Sequence, residues 1–503
     1  MTTPDYDVAI IGTGFSGLGM AIRLKQQGDE NFIIFERNDD VGGTWYMNHY
    51  PGCACDVQSH LYSFSFEPNP NWSRMFSPQA EIQAYLARCA DKYRLRDKTR
   101  FNSNVEKMHF DEGTGLWTIR PEGGKPVTAR FVVCGLGPLT RPSFPDIPGL
   151  DSFEGKAFHS QHWDHDHDLR GKRVAVIGTG ASAIQFVPQI APEVQQLDLY
   201  QRTPPWIIPK PDRRISGIEK RLFRLIPGLQ RAWRRAIYWS LESRVLAFVI
   251  TPKLMKAFQM VGQWHIRRNI RDPELRRKVT PDYTIGCKRV LISDDYYPAL
   301  DRDNVDVITS GIREIRPRGV VTEDGVEHPC DTLIFGTGFQ ATEPLPRNMV
   351  FGRGGRDILD AWRDGIEAYK GTTVSGFPNL FILTGPNTGL GHSSMVFMIE
   401  SQIQYVLDAL SILRREGLKF VDADAEVQRE YNEALQARMA GTVWETGGCR
   451  SWYMDENGKN VSLWPGFTWQ FRLQTRRFDT AAYELCHLDD SSDNAADLDL
   501  RAA

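Results

Sequence analysis

The chain has 503 residues, room for about three domains, and its 41% hydrophobic and 24% charged residues are ordinary globular usage, which excludes wholesale disorder. Sixty Lys and Arg against 63 Asp and Glu leave a net charge of −3, so no global basic excess draws nucleic acid. No run reaches the ~18 uninterrupted apolar residues that span a bilayer, and the first residues carry no basic stretch ahead of an apolar one. The eight scattered cysteines fit a reduced cytosolic protein better than a disulfide scaffold, so the expectation is a cytoplasmic chain.

Residues 8–11 form an apolar strand-type run. Gly12-Thr13-Gly14-Phe15-Ser16-Gly17 follows at once, then a helical stretch over 18–27 closed by Gly28. A second apolar run, 32–35, ends at Glu36, 24 positions after Gly12. This is the βαβ context that a dinucleotide fingerprint requires. Its glycines admit backbone amides to a pyrophosphate, the helix N-terminus stabilises the charge, and the acid is placed for a ribose hydroxyl.

The pattern recurs at 172–177 followed by Gly178-Thr179-Gly180-Ala181-Ser182-Ala183. Here the second strand, 196–200, runs into Gln201-Arg202-Thr203, and an arginine in the acid's place suits a 2′-phosphate. The first site therefore reads as a FAD site and the second as an NADPH site. Residues 215–280 are amphipathic, helical and locally basic. They read either as an insertion packed over the active site or as a peripheral membrane surface that collects apolar substrates. Apolar runs at 332–335, before Gly336-Thr337-Gly338, and at 379–383, before Gly385-Pro386-Asn387, read as strands returning to nucleotide-binding sheets. The end, from Cys486 on, reads as a frayed acidic tail.

His159, His162, His165 and His167 have metal-like spacing, but the interleaved Asp164, Asp166 and Asp168 favour a solvated loop, and no metal is expected. Cys53 and Cys55 are separated only by Ala54, too close for an unstrained redox bridge, and read as packing residues.

Between the two glycine motifs, Phe153-Glu154-Gly155-Lys156-Ala157-Phe158-His159-Ser160-Gln161-His162-Trp163-Asp164 matches the fingerprint FxGxxxHxxxW(P/D). The segments Gly42–Tyr46, Tyr50–Asp56, Cys287-Lys288-Arg289 with Tyr296-Tyr297, and Cys449–Tyr453 with Trp464-Pro465-Gly466 agree with it. On these motifs the chain resembles the type I Baeyer–Villiger monooxygenases, the class B flavoprotein monooxygenases, over nearly its whole length. The helical insertion departs from the compact branch that takes cyclic ketones.

The resemblance implies an α/β fold of two Rossmann-like domains. FAD would occupy 1–140 and 341–485, and NADPH 141–340, with a helical insertion at about 213–280 and a tail at 486–503. It implies FAD contacts from Gly12, Gly14, Phe15, Gly17, Glu36, Gly43, Thr44, Trp45, Asp56, Tyr62 and Val105. The implied NADPH contacts are Gly178, Thr179, Gly180, Ala181, Ser182, Ala183, Gln185, Arg202, Thr203 and Lys288. Phe153, Gly155, His159 and Trp163 are expected to couple the domains. The implied reaction converts a ketone to an ester or lactone with NADPH and O2 through a C4a-peroxyflavin. Arg289 would stabilise developing negative charge and Asp56 would orient it. The alternatives are an oxygenase of amines or sulfides, for which Trp163 and Arg289 are not needed, an NADPH oxidase, and a catalytically inert FAD-binding protein.

Overall fold

The computed structural model describes residues 3–341 and 345–487. One sheet is built from Tyr6–Ile11 (β1), Phe32–Phe35 (β2), Thr99–Arg100 (β3), Val105–Asp111 (β4), Leu116–Pro121 (β5) and Val127–Cys134 (β6). Val350–Phe351 joins it beside β4 and Leu380–Ile382 beside β6. Its centre is parallel, with β1 between β2 and β6, while β4, β5 and β6 run antiparallel. Val8–Ile11 and the whole of β2 are buried, as continuous apolar runs in a sheet covered on both faces must be.

The helix Phe15–Gln26 (α1) crosses from β1 to β2 and packs against the long helix Met395–Arg415. At Gly19 an added Cβ would stand 2.9 Å from both Ile403 and Phe64, so a small residue there sets the helix spacing. Short Thr44–Met47 (α2) and Gln79–Lys92 (α3) complete this cover.

A second, all-parallel sheet holds Lys156–His159 (β7), Arg173–Ile177 (β8) and Gln196–Tyr200 (β9). Thr332–Phe335 lies between β7 and β8, and Val305–Ile308 on the outer edge of β9. Its crossover helix, Ala183–Ile190 (α4), has Ser182 as N-cap residue. The chain thus leaves the first sheet after Cys134, builds the second over 156–335, and returns at Val350.

The insertion comprises Gly217–Leu225 (α5), Pro227–Glu242 (α6), a π-helical turn Leu246–Ile250, Met255–Asn269 (α7) and Pro273–Val279 (α8). A reciprocal Ser216–Glu219 capping box starts α5. Although the sequence places it inside the second unit, α6 is fastened to the first. Arg234 Nη1 donates to the carbonyls of His60 (2.7 Å), Leu61 (3.1 Å) and Ser63 (2.9 Å). Buried Glu242 accepts from the Thr468 N–H and hydroxyl at 2.9 and 2.7 Å.

Two expectations are corrected. The cysteines are not all reduced: Cys287 and Cys449, 162 positions apart, form a disulfide, and the other six form none. Nor does the tail begin at Cys486. Cys486 and His487 end a strand, Tyr483–His487, that pairs antiparallel with Leu418–Ala423 and so satisfies its backbone. The rest of the expected tail, 488–503, lies outside the described residues.

Candidate active site

The turn after β1 has to reverse within two residues while leaving room beside it. Gly12 takes φ +97°, and an added Cβ would lie 2.9 Å from the Gly135 carbonyl oxygen. Gly14 is different in kind. Its φ is ordinary and its nearest neighbour is 3.8 Å away, so the space above it is left for a ligand. The second turn repeats the arrangement, with Gly178 at φ +106° against the Gly336 carbonyl and Gly180 open.

Glu36, buried at the end of β2, holds the first turn in place. Its Oε2 accepts from the Thr13 N–H and hydroxyl at 2.9 and 2.6 Å, and its Oε1 from the Asn38 N–H and amide at 2.9 and 2.7 Å. The N-terminus of α1, with no acidic residue in its first turn, opens on the same space and favours an anion.

That space is a cleft of about 450 Å³. Its walls gather Gly12, Gly14, Phe15, Glu36, Gly43, Thr44, Trp45, Tyr62, Val105 and, at one end, Arg289. Trp45 Nε1 donates to the Tyr62 hydroxyl at 3.1 Å, and Phe15 meets Tyr62 edge-on at 5.0 Å. Two of the implied residues are not wall residues. Gly17 lies beneath the turn, where a Cβ would come 1.8 Å from the Gly12 carbonyl oxygen, and Asp56 stands behind Arg289.

Arg289 donates to Asp56 Oδ2 from Nε at 3.0 Å and from Nη2 at 2.5 Å. The carboxylate raises the guanidinium pKa, outweighing burial, so the arginine is permanently charged. Its side chain is 38% exposed, and it lines the cleft. The disulfide fixes Cys287, two positions before Arg289, to Cys449, just ahead of Trp452 and Tyr453, which also face the cleft.

The implied NADPH residues divide. Arg202 and Lys288 approach each other closely enough that Arg202, after desolvation, pushes the Lys288 pKa down, and Thr179 donates to the Thr203 carbonyl at 3.3 Å. Asp282 pulls the other way, but desolvation and Arg202 outweigh it, and two cations brought together favour an anion. Gln185, by contrast, is engaged across the domain junction. Its Oε1 accepts from the Tyr50 hydroxyl (3.0 Å) and the Ala54 N–H (3.3 Å), and its Nε2 donates to the Ala54 carbonyl at 3.0 Å.

His159 is buried and held down to about 4 by desolvation, so it is neutral at neutral pH. Its Nδ1 accepts from the Gln161 N–H (3.1 Å), which leaves the proton on Nε2 to donate to the Gly338 carbonyl at 3.1 Å. Trp163 packs on Phe158 and on Phe186 of α4, and Phe186 in turn meets Tyr50. Gly155 lets Phe153 and the Asp331 carbonyl approach within 2.7 and 2.4 Å of where a Cβ would be. The histidines diverge: His165 bonds His49 at 2.8 Å and His167 bonds the Thr332 hydroxyl at 2.9 Å. Cys53 is buried and free, its thiol pushed up to about 12 by burial, and Cys55 is likewise buried and free.

Gln161 is a residue that spacing alone does not single out. Its amide is buried on the cleft wall with neither its oxygen nor its nitrogen bonded. Such a group needs a partner, and a polar ligand in the cleft supplies one. The open glycine cradle, the helix N-terminus and this amide together fit FAD.

Residues 5–351 match the flavin-binding monooxygenase-like family. The chain is 60% identical over 479 residues to a Baeyer–Villiger monooxygenase of Pseudomonas aeruginosa, covering 95% of this chain and 91% of that protein. It is 50% identical over 480 residues to one of Streptomyces coelicolor, covering 95% and 92%. Among solved structures it is similar to an oxidized steroid monooxygenase bound to NADP, at TM-score 0.84 and 30% identity over 96% of this chain and 99% of that one. It is also similar to the closed form of cyclohexanone monooxygenase, at TM-score 0.86 and 28% identity over 97% and 100%. The chain belongs to the flavin-binding monooxygenase-like family and, within it, to the Baeyer–Villiger monooxygenases.

Proposed function

We propose that the protein converts bulky, apolar ketones to esters or lactones, consuming NADPH and O2. In the balanced reaction a ketone, O2, NADPH and a proton become the ester, NADP⁺ and water. One oxygen atom enters a carbon–carbon bond, and the other leaves as water. FAD, when bound, supplies the redox chemistry that activates oxygen, which no side chain can do.

The observation that carries this reading is Arg289 on the cleft wall, held charged by Asp56. A carbonyl under attack gathers negative charge on its oxygen. A fixed guanidinium in a partly water-excluded cleft stabilises that charge without reorganising. Asp56 accepts from Nε and Nη2, which leaves Nη1 free of that pairing to donate to the substrate oxygen. Gln161, Tyr62 and Glu36 would bind and orient FAD. Arg202, Thr203 and Lys288 would hold NADPH. Phe248 and Met255 of the insertion reach the backbone at Gly286, three positions from Arg289, so the insertion supports the wall at the reacting end. An apolar wall of this kind suits long-chain or aryl ketones better than small cyclic ones.

The test supplies FAD-loaded enzyme with NADPH, oxygen and a panel of linear, aryl and cyclic ketones, and identifies products by mass spectrometry. The expected product is one oxygen heavier than its ketone. Arg289→Ala should retain FAD and lose roughly 10²- to 10³-fold in ester formation. Near-normal ester formation by that variant would overturn the assignment. Oxidation only of added amines or sulfides, or NADPH consumption that yields only hydrogen peroxide, would replace the reading.

A further inference from the structure

The outer surface of the helical insertion is built unlike the rest of the molecule. Among the described residues, 20 large hydrophobic side chains are exposed, and 14 of them fall between Ile218 and Trp264. They are well out in solvent: Ile218 is 75% exposed, Leu225 68%, Trp239 57% and Met260 69%. At the start of α7 and along it, the N-cap residue Leu254 and then Phe258, Val261 and Trp264 follow helical spacing along one side, while Met255, Gly262 and Ile266 are buried on the other.

Charge is concentrated on the same segment. Residues 217–269 carry eleven Lys and Arg against two Asp and Glu, a net of +9 in a chain whose net charge is −3. Neither acid serves the outer surface. Glu219 is occupied by Arg213 and the Ser216 cap, and Glu242 is buried against Thr468. Arg221, Arg224, Arg231, Arg235, Arg267 and Arg268 are exposed among the apolar side chains.

This surface is rigidly presented. The polar side chains on the inner side of α6, Gln230, Arg234 and Glu242, are spent on the first domain. The outer apolar side chains therefore contribute little to folding, and their exposure needs another reason. A second copy fits poorly, because a two-fold contact would set +9 against +9. A membrane-spanning role fits poorly as well. The axis bends by 112° between the α6 and α7 segments, and the inner side of α6 is buried on protein. Met395–Arg415, the one described helix long and apolar enough to cross a membrane by itself, is mostly buried in the core.

We propose that the outer faces of α5, α6 and α7 dock on an anionic lipid bilayer. Their apolar side chains enter the headgroup boundary and their arginines pair with lipid phosphates. Tryptophans such as Trp233, Trp239 and Trp264 are the residue type that settles at that depth. The opposite side of the insertion reaches Gly286 through Phe248 and Met255, so docking sets the mouth of the site close to the phase in which apolar ketones dissolve. That last consequence rests on the proposed reaction, whereas the docking itself does not.

The test uses the FAD-loaded full chain, without substrate, in co-sedimentation with vesicles of phosphatidylglycerol and phosphatidylcholine against vesicles of phosphatidylcholine alone, at low and high salt. Binding is expected on the anionic vesicles, weakened by salt. The triple variant Arg221→Glu, Arg231→Glu, Arg235→Glu should lose tenfold or more in apparent affinity. Trp233→Ser with Trp264→Ser should weaken binding at both salt concentrations. Unchanged FAD content and Tm in these variants show that the fold is kept. The proposal is overturned if the wild type stays in the supernatant, if it binds neutral and anionic vesicles equally, or if both sets of variants bind like the wild type. A stable dimer in light scattering that fails to bind vesicles overturns it too, and assigns the face to a second copy. Ketone oxidation measured without vesicles reports on the reaction separately.

Discussion

At the scale of single residues, the site depends on charges and protons fixed by a few neighbours. Arg289 keeps its charge because Asp56 stands directly behind it, and His159 stays uncharged because burial removes water from a ring whose two nitrogens are already bonded. The histidine therefore links stability to pH. Its folded pKa of about 4 lies below its ordinary value of 6.5, so between these limits the unfolded chain binds more protons than the native one. Stability must then fall as pH falls through 6.5 towards 4, by up to about 3 kcal/mol for this one group. His60, also held down to about 4 by burial, contributes its own slope. His159→Gln keeps a donor for Gly338 but cannot titrate. We expect its Tm to fall less steeply than that of the wild type between pH 6.5 and 4.5, with the His60 contribution common to both. Parallel Tm profiles for the two proteins would show that His159 is not the titrating group.

At the scale of elements, the two glycine turns separate what folding needs from what binding needs. Gly17 lies where a Cβ would strike the Gly12 carbonyl oxygen at 1.8 Å, and both are backbone-fixed, so Gly17→Ala must displace the start of α1. Gly14→Ala meets nothing closer than 3.8 Å and intrudes only on the cleft. The first should lower the Tm of the FAD-free protein, at a cost of about 1–3 kcal/mol or more. The second should leave that Tm unchanged and weaken FAD retention. Thermal melts with and without FAD distinguish the two, and equal destabilisation by both variants would contradict this division.

These turns are legible in sequence because strand, turn, helix and strand follow within 30 residues, and the steric demand is local. Contacts between distant segments are not legible in that way. Nothing in spacing pairs Arg289 with Asp56 across 233 positions, or Cys287 with Cys449 across 162, and scattered cysteines that fit a reduced protein better than a disulfide scaffold give no sign of the one bridge the fold closes. Gln185 sits where a cofactor contact is expected, yet it turns to Tyr50 and Ala54 because the first domain's loop packs on that side of α4. That α6 is fastened to the first domain is equally invisible in a segment lying between two strands of the second. The bridge can be counted directly. Denatured, unreduced protein should titrate six thiols, and reduced protein eight. Eight in both cases would mean that the Arg289 loop is not covalently tied to the Cys449 segment.

At the scale of the whole molecule, the two sheets must cooperate, and the ionic evidence for cooperation lies at Arg202 and Lys288. Arg202 follows β9 in the second sheet, while Lys288 returns from the insertion on the loop that carries Arg289. Like charges on separate segments repel: the Lys288 pKa is lowered by desolvation first and by Arg202 second, against the opposing pull of Asp282. A doubly charged phosphate between the two cations would relieve that repulsion and draw the Arg289 loop towards the second domain. On this account Arg202→Ala should weaken NADPH by roughly 10- to 100-fold, the range of one or two kcal/mol or slightly more for a lost charge-assisted hydrogen bond. NADH, which has no 2′-phosphate to lose, should be nearly unaffected. Steady-state KM values for both coenzymes, measured with FAD saturation held constant, decide the matter. Equal losses for the two would place Arg202 outside the phosphate site and leave its proximity to Lys288 without a ligand to explain it.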